Sequence, residues 1–288
     1  MRWLMRGVAA SAMLAACSPA GPRRPAEAAG AAQPTAPTLV RVVARDFAFD
    51  SGHTAPAGLL AVRLVNLGHA IHMLGVARLD SAKTLGDVVR AIQAGTAIPW
   101  FKELGGPGVV SPGDSATAYL VLEPGTYSMI CWWPDSTGMM HQALGMMATL
   151  IVTGTDAGAP VPPAPDVYVR ESDYHIAMPD TLSAGHHVFE VANDGPHSHD
   201  LAVFRVLPGR SVSQVEAWLE KPTTSDPPVE AVGGSVGQER WSHAEFDAAL
   251  APGSYLFLCL MGDATSPKPH YLRGMLRTVT VTPTTGTR

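Results

Sequence analysis

Tyr127-Ser128-Met129-Ile130-Cys131, followed ten positions on by His141-Gln142-Ala143-Leu144-Gly145-Met146, is met again as Tyr255-Leu256-Phe257-Leu258-Cys259 and His270-Tyr271-Leu272-Arg273-Gly274-Met275. In each case an apolar run ends on a cysteine, a loop follows, and a histidine stands five residues before a methionine with glycine between them. Working outward toward the N-terminus at an offset of 127, Asp46-Phe47 falls on Asp173-Tyr174, Thr54 on Thr181 and Ala57-Gly58 on Ala184-Gly185. Asn66, Gly68, His72 and Arg78 fall on Asn193, Gly195, His199 and Arg205 without a gap. The offset grows to 128 at Pro124-Gly125-Thr126-Tyr127 against Pro252-Gly253-Ser254-Tyr255, and to 129 at His141 against His270. The chain therefore holds one unit twice.

Each unit reads mostly as strand. Leu60–Val65, Tyr119–Leu122, Val188–Ala192, Leu201–Val206 and Thr278–Val281 are short apolar runs bounded by Gly, Pro and Asp. One helix interrupts each unit. Thr84 with Asp87 in the first turn opens the first, and Ser211-x-x-Gln214 has the form of a capping box for the second. This pattern predicts an all-β chain of two tandem Greek-key β-sandwiches, each with one short inserted helix. The expected domains are 39–153 and 166–283. A Pro-rich linker at 154–165 lies between them, and a short tail runs from 284 to 288.

The N-terminus predicts the compartment. Arg2 and Arg6 precede an apolar stretch from Gly7 to Ala16, too short to span a bilayer as a helix, and Leu14-Ala15-Ala16-Cys17 follows the form of a lipoprotein cleavage site. Residues 1–16 are expected to be a signal peptide and Cys17 the lipidated first residue, with a Pro/Ala-rich tether over 17–38. The expected location is lipid-anchored and facing the periplasm, with Ser18 after the cysteine slightly favouring the outer membrane, or the cell surface. Without residues 1–16 the chain carries 18 basic and 25 acidic residues, a net −7, which suggests no nucleic-acid or anionic-lipid partner. The remaining cysteines, Cys131 and Cys259, are too few for a disulfide scaffold.

The repeated chemistry is one thiolate, two imidazoles and one thioether: His72, Cys131, His141 and Met146, then His199, Cys259, His270 and Met275. The first histidine precedes the cysteine by 59 and 60 positions, and the cysteine precedes the second histidine by 10 and 11. That donor set suits a trigonal His2Cys copper site with a weak axial Met. Simpler readings compete with it. The two cysteines could be buried small apolar residues or a disulfide pair, and the two methionines could be core filler, as Met139, Met140 and Met147 are expected to be unless they line the site mouth. His69 reads as surface, His197 as a competitor of His199, and His186 and His187 as half-exposed strand residues. Trp132 and Trp133 read as packing.

These motifs resemble the cupredoxins, the type 1 blue copper family. The late Cys…His-x4-Met with its Gly, and Asn-x-Gly approaching the first His (Asn66-Leu67-Gly68; Asn193-Asp194-Gly195), are similar to theirs. The resemblance implies copper as cofactor, one per domain and two in total, and no catalytic residue. It implies a membrane-anchored electron-transfer protein of the periplasm that exchanges electrons with redox partner proteins. Copper storage, delivery or sensing without redox turnover is the alternative. A nitrite reductase-like or multicopper oxidase-like enzyme is a lesser one, since Ile130 and Trp132 flank one Cys, and Leu258 and Leu260 the other, where related enzymes carry a His. A homo-oligomer could still build a shared copper from His53, His175 or His243.

Overall fold

The computed structural model describes residues 36–50, 53–80, 82–96, 98–154, 160–262 and 268–284. The signal segment, Cys17, nearly all of the tether, residues 155–159 of the linker and residues 285–288 of the tail lie outside the described residues.

The first unit runs β1 (Thr38–Arg45), β2 (Ala48–Phe49), β3 (His53–Pro56), β4 (Gly58–Asn66), β5 (Gly75–Leu79), α1 (Leu85–Gln93), β6 (Phe101–Gly105), β7 (Pro107–Val110), β8 (Ser115–Leu122), β9 (Gly125–Ile130) and β10 (Met147–Thr153). The second runs β11 (Val167–Ser172), β12 (His175–Ala177), β13 (Thr181–Ser183), β14 (Gly185–Asn193), β15 (His199–Val206), α2 (Val212–Leu219), β16 (Val229–Gln238), β17 (His243–Leu250), β18 (Gly253–Leu258) and β19 (Leu276–Thr282). Both helices start where the sequence places them. In each, the N-cap hydroxyl accepts from the amide three residues on, and that residue's side chain accepts from the N-cap amide, so Thr84 with Asp87 forms as complete a capping box as Ser211 with Gln214.

The chain is all-β, built as two β-sandwiches of like topology. In the first, β3-β10-β9-β5-β6 faces β8-β4-β1-β2; in the second, β13-β19-β18-β15-β16 faces β12-β11-β14-β17. Alternating side chains of facing strands fill each core, as in β10, whose Ala148, Leu150 and Val152 are buried while Ile151 is exposed.

The two inner sheets are one. β17 pairs with β8, giving an eight-stranded sheet across both units, and β7 leaves the first unit to pair with β16 of the second. The β17–β8 register joins Glu245 to Tyr119, Phe246 to Ala118 and Asp247 to Thr117. Ala118 and Phe246 are equivalent at the repeat offset of 128, and so are Pro107 and Ser235, which are partners in the β7–β16 pair. A local two-fold axis therefore passes through both ladders, and the units associate as an isologous dimer does, within one chain.

Phe246 is fully buried on that axis and stacks on Phe189 with centroids 4.7 Å apart. Phe246→Ala is expected to cost about 3–5 kcal/mol of stability, and probes in the two units should report one shared midpoint when unfolding is followed in denaturant.

Candidate metal centres

The cysteine of each unit sits just past the end of an inner-core strand, β9 or β18, and the loop after it is strapped back by its own backbone. The Cys131 amide donates to the Met146 carbonyl at 3.2 Å, the His141 amide to Trp133 at 2.8 Å, and the Met146 amide to His141 at 3.0 Å. The second unit repeats these bonds with Cys259 to Met275 at 3.1 Å, His270 to Met261 at 2.7 Å and Met275 to His270 at 3.1 Å. Each second histidine opens a single 3-10 turn closed by Gly145 or Gly274, whose left-handed φ of 103° and 118° explains the glycine before each methionine. The first histidine comes from the neighbouring strand of the same sheet, at the start of β15 beside β18 in the second unit and just before β5, beside β9, in the first. His72 is bridged to Val110, and His199 is registered against Gln238. Asn66 and Asn193 fold the approach to it, each donating to the carbonyl four residues on, Ala70 or His197, at 2.8 Å.

These straps bring the donors together. The Nδ1 atoms of His72 and His141 lie 3.1 Å apart, with Cys131 Sγ 3.9 and 3.6 Å from them. In the second unit the same three distances are 3.1 Å for His199 to His270, then 3.8 and 3.5 Å to Cys259 Sγ. One ion at metal–nitrogen and metal–sulfur distances of about 2.0 and 2.3 Å would space a trigonal S and N roughly 3.7 Å apart, so both triangles are of the size one ion requires. All six side chains are fully buried, and both cysteines are free thiols. Met146 and Met275 are also fully buried, in the cores that hold Cys131 and Cys259. A soft thiolate with two imidazoles suits copper, and the two groups fit one copper per unit, two in total.

Electrostatics keep the donors uncharged in the metal-free protein. Burial lowers His72, burial and nearby His72 bring His141 down to about 4, and burial and nearby His270 bring His199 down to about 4. Burial pushes the Cys131 thiol up to about 12, against hydrogen bonds from the backbone of Met73 and Trp133. Cys259 is raised well above the ordinary thiol range by burial, then by Asp200 and Glu171, while the Asp200 amide donates to its sulfur at 3.4 Å.

An acid–aromatic pair that the repeat alignment contains, but to which the sequence assigns no role, lies beside each group. Phe47 and Tyr174 both adopt left-handed backbone, with φ of 62° and 63°, and meet His141 and His270 edge to face at 4.9 and 5.3 Å. Asp46 contacts His72 and His69. Burial works to raise the Asp46 carboxyl, and hydrogen bonds from His69, Ala70 and His72 overcome it and bring it down to about 2. The exact repetition of Asp-aromatic at one offset was the signal in the sequence.

The other expected residues fall as follows. His69 is on the surface, and His197 is turned to Asp173 at 2.6 Å rather than into the metal group. His186 is exposed, but His187 is buried rather than half-exposed, because Asp166, just before β11, and the Ser183 carbonyl, at the end of β13, hold its ring at 2.7 and 2.8 Å. Trp132 donates to Glu103 at 2.9 Å, and Trp133 packs on Phe204 and Trp218 of the second unit. Met139 and Met140 are exposed. His53, His175 and His243 stand on separate strands and join neither metal group. A cavity of about 460 Å³ between the units is lined by Met73, Trp132, Met140, Asp200, Leu260 and Tyr271, each the immediate sequence neighbour of a His or Cys of the two groups.

No protein-family model matches the sequence, and no curated protein matches it. Among solved structures, the chain is similar to dithionite-reduced auracyanin from Roseiflexus castenholzii, with 23% identity over 42% of this chain and 100% of that one and a TM-score of 0.31. Auracyanin A of Chloroflexus aurantiacus, described as a blue copper protein, aligns with 20% identity over 41% and 99% at a TM-score of 0.30. Copper nitrite reductase from Nitrosomonas europaea aligns with 16% identity over 85% and 94% at a TM-score of 0.26.

Thiols held this high are protonated at neutral pH, and His72, His141 and His199 are neutral there, so metal loading is expected to release one proton per unit. The apparent affinity should therefore rise about tenfold per pH unit from pH 7 to 9. It should fall more steeply below pH about 4, where His141 and His199 also bind protons. Calorimetry in buffers of different ionisation enthalpy measures the release.

Proposed function

We propose that this chain is an exported, lipid-anchored electron carrier with a type 1 copper in each unit. His72, Cys131, His141 and Met146 hold one, and His199, Cys259, His270 and Met275 the other. The observation that carries this reading is the pair of preformed Nδ1–Nδ1–Sγ triangles, equal to within about 0.1 Å edge by edge.

Bound copper supplies a one-electron Cu(II)/Cu(I) couple. The protein's contribution is rigidity. The cysteine, second-histidine and methionine segments are tied to one another by main-chain bonds, and His72 is bonded in both directions to Val110, so the donors have little freedom to follow a change of oxidation state. A site that does not rearrange adds little to the barrier for moving an electron. Burial closes the site to substrates, with Phe47 and Tyr174 against the second histidine of each group. These features favour exchange of electrons with redox proteins over chemistry on a bound molecule. The lipid anchor at Cys17 and the periplasmic setting rest on the sequence of residues 1–38. Among the described residues, no helix is long and apolar enough to cross a membrane.

Addition of Cu(II) to the mature protein should produce an intense sulfur-to-copper charge-transfer band at two copper per chain, bleached by reductant and restored by oxidant. Cys131→Ser or Cys259→Ser should remove about half of it, by the thiolate requirement of such sites, and the double variant all of it. A band that survives in the double variant overturns the ligand assignment, and tight copper that does not cycle favours storage or delivery. Cys17→Ser should move the exported protein from the membrane fraction to the soluble one, read by fractionation.

A further inference from the structure

Each first histidine shows one ring nitrogen to the metal group and the other to a carboxylate. Asp46 Oδ1 lies 3.3 Å from His72 Nε2, while Oδ2 is 2.7 Å from His69 Nδ1. The His69 and Ala70 amides donate to Oδ1 at 2.7 and 3.1 Å, fixing the carboxylate in place. In the second unit Asp173 Oδ1 is 3.5 Å from His199 Nε2, without a hydrogen bond between them, and Oδ2 is 2.6 Å from His197 Nδ1. The two outer histidines are not equivalent in the repeat, since His69 aligns with Pro196 and His197 with Ala70. Each unit thus reaches one arrangement, surface histidine to carboxylate to buried histidine, from a different position.

The glycine of Asn-x-Gly makes room for it. A Cβ on Gly68 would fall within 3.0 Å of both Asp46 Oδ1 and His72 Nε2, and one on Gly195 would stand 2.8 Å from Asp173 Oδ1 and 3.3 Å from His199 Nε2. Neither glycine has left-handed backbone. The residue is therefore required because any side chain would wedge between the carboxylate and the imidazole.

We propose that Asp46 is a positioning residue for the first copper site, its carboxylate holding the Nε2–H of His72 so that Nδ1 is left bare toward the metal, and placing a negative charge one imidazole away from it; Asp173 stands at the corresponding place in the second unit, near His199 but not hydrogen-bonded to it. A neutral imidazole has one N–H, and the group that accepts it decides which nitrogen can ligate. The charge favours Cu(II) over Cu(I). This inference rests on the copper reading above, and its tautomer readout does not.

The test uses the Cys259→Ser protein, in which only the first unit binds copper. Asp46→Asn keeps an acceptor and removes the charge; Asp46→Leu removes both. Asp46→Asn is expected to weaken Cu(II) about tenfold more than Cu(I), which raises the midpoint potential by about 59 mV. Asp46→Leu should lower Cu(II) affinity by about 10- to 100-fold. In the metal-free protein, ring nitrogen NMR should show His72 with its proton on Nε2 in the parent, and a growing Nδ1–H population in Asp46→Leu. Gly68→Ala should reproduce the Leu result by wedging the pair apart, and serves if Asp46→Leu does not fold. An unchanged tautomer and an unchanged potential in a folded variant would overturn the proposal. A parent that lacks the charge-transfer band would count against the copper reading, with the tautomer result still deciding the role of Asp46.

Discussion

Three donors that bind soft metals, packed within 4 Å of one another in an apolar core, are the constraint on which the rest of each unit depends. Such a cluster has little reason to form by itself. Two imidazole nitrogens can share at most one proton between them, a buried thiol is a poor partner for either, and every charged form is penalised by burial. The scaffold therefore has to over-determine it. It does so with main-chain bonds between the cysteine, second histidine and methionine segments, and with an asparagine that folds the approach to the first histidine. The cost is offset by the strands around the site, whose fully buried Tyr127, Met129, Leu150, Tyr255 and Phe257 form the cores.

The second constraint is the local two-fold axis. An inner sandwich sheet with a free edge is open to pairing with other chains. Here the β8 and β17 edges satisfy each other, and β7 completes the sheet of the opposite unit. The axis also sets the two ligand-bearing loops around one cavity, with Trp132 and Leu260, each the residue after a cysteine, on its wall. Duplication followed by self-association explains why a linker rich in proline connects units that nevertheless share a sheet.

Much of this was legible in the sequence because it is local. The alternation of apolar residues, the helix starts at Thr84 and Ser211, and the glycines before Met146 and Met275 each follow from backbone rules that act over a few residues. The six residues of the two His-Cys-His groups were legible because they recur in order. The shared sheet was not, since alternation says which face of β8 is buried and nothing about what lies at its edge. Asp46 sits 26 residues before His72, and only folding shows that it reaches the imidazole. His69 and His197 were hidden by the same gapless alignment that revealed the ligands, because they arrive at equivalent carboxylates from unequal positions. The burial of His187 was not legible, because a strand pattern does not show that Asp166, 21 residues away, comes to lie against its ring.

The alignment also hides a difference between the halves. The geometry of the two metal groups is the same, but their surroundings are not. Where the first unit has Ala44 and Met73, the second has Glu171 and Asp200, both acids within its interior. Burial and mutual repulsion raise Glu171 well above the usual carboxyl range, burial lifts Asp200 to about 6, and both act on the Cys259 thiol. The Asp200 carboxylate accepts from the Leu260 amide at 2.7 Å, whereas both Glu171 oxygens are buried without a hydrogen-bond partner, which destabilises a core. The first unit shows that Ala and Met serve the fold there. What the acids change is the field at the sulfur, and a metal held by Cys259 is therefore in a different electrostatic setting from one held by Cys131. Two sites that match in shape and differ in charge are not interchangeable, and the duplicated unit is better described as a pair of distinct centres than as one centre present twice.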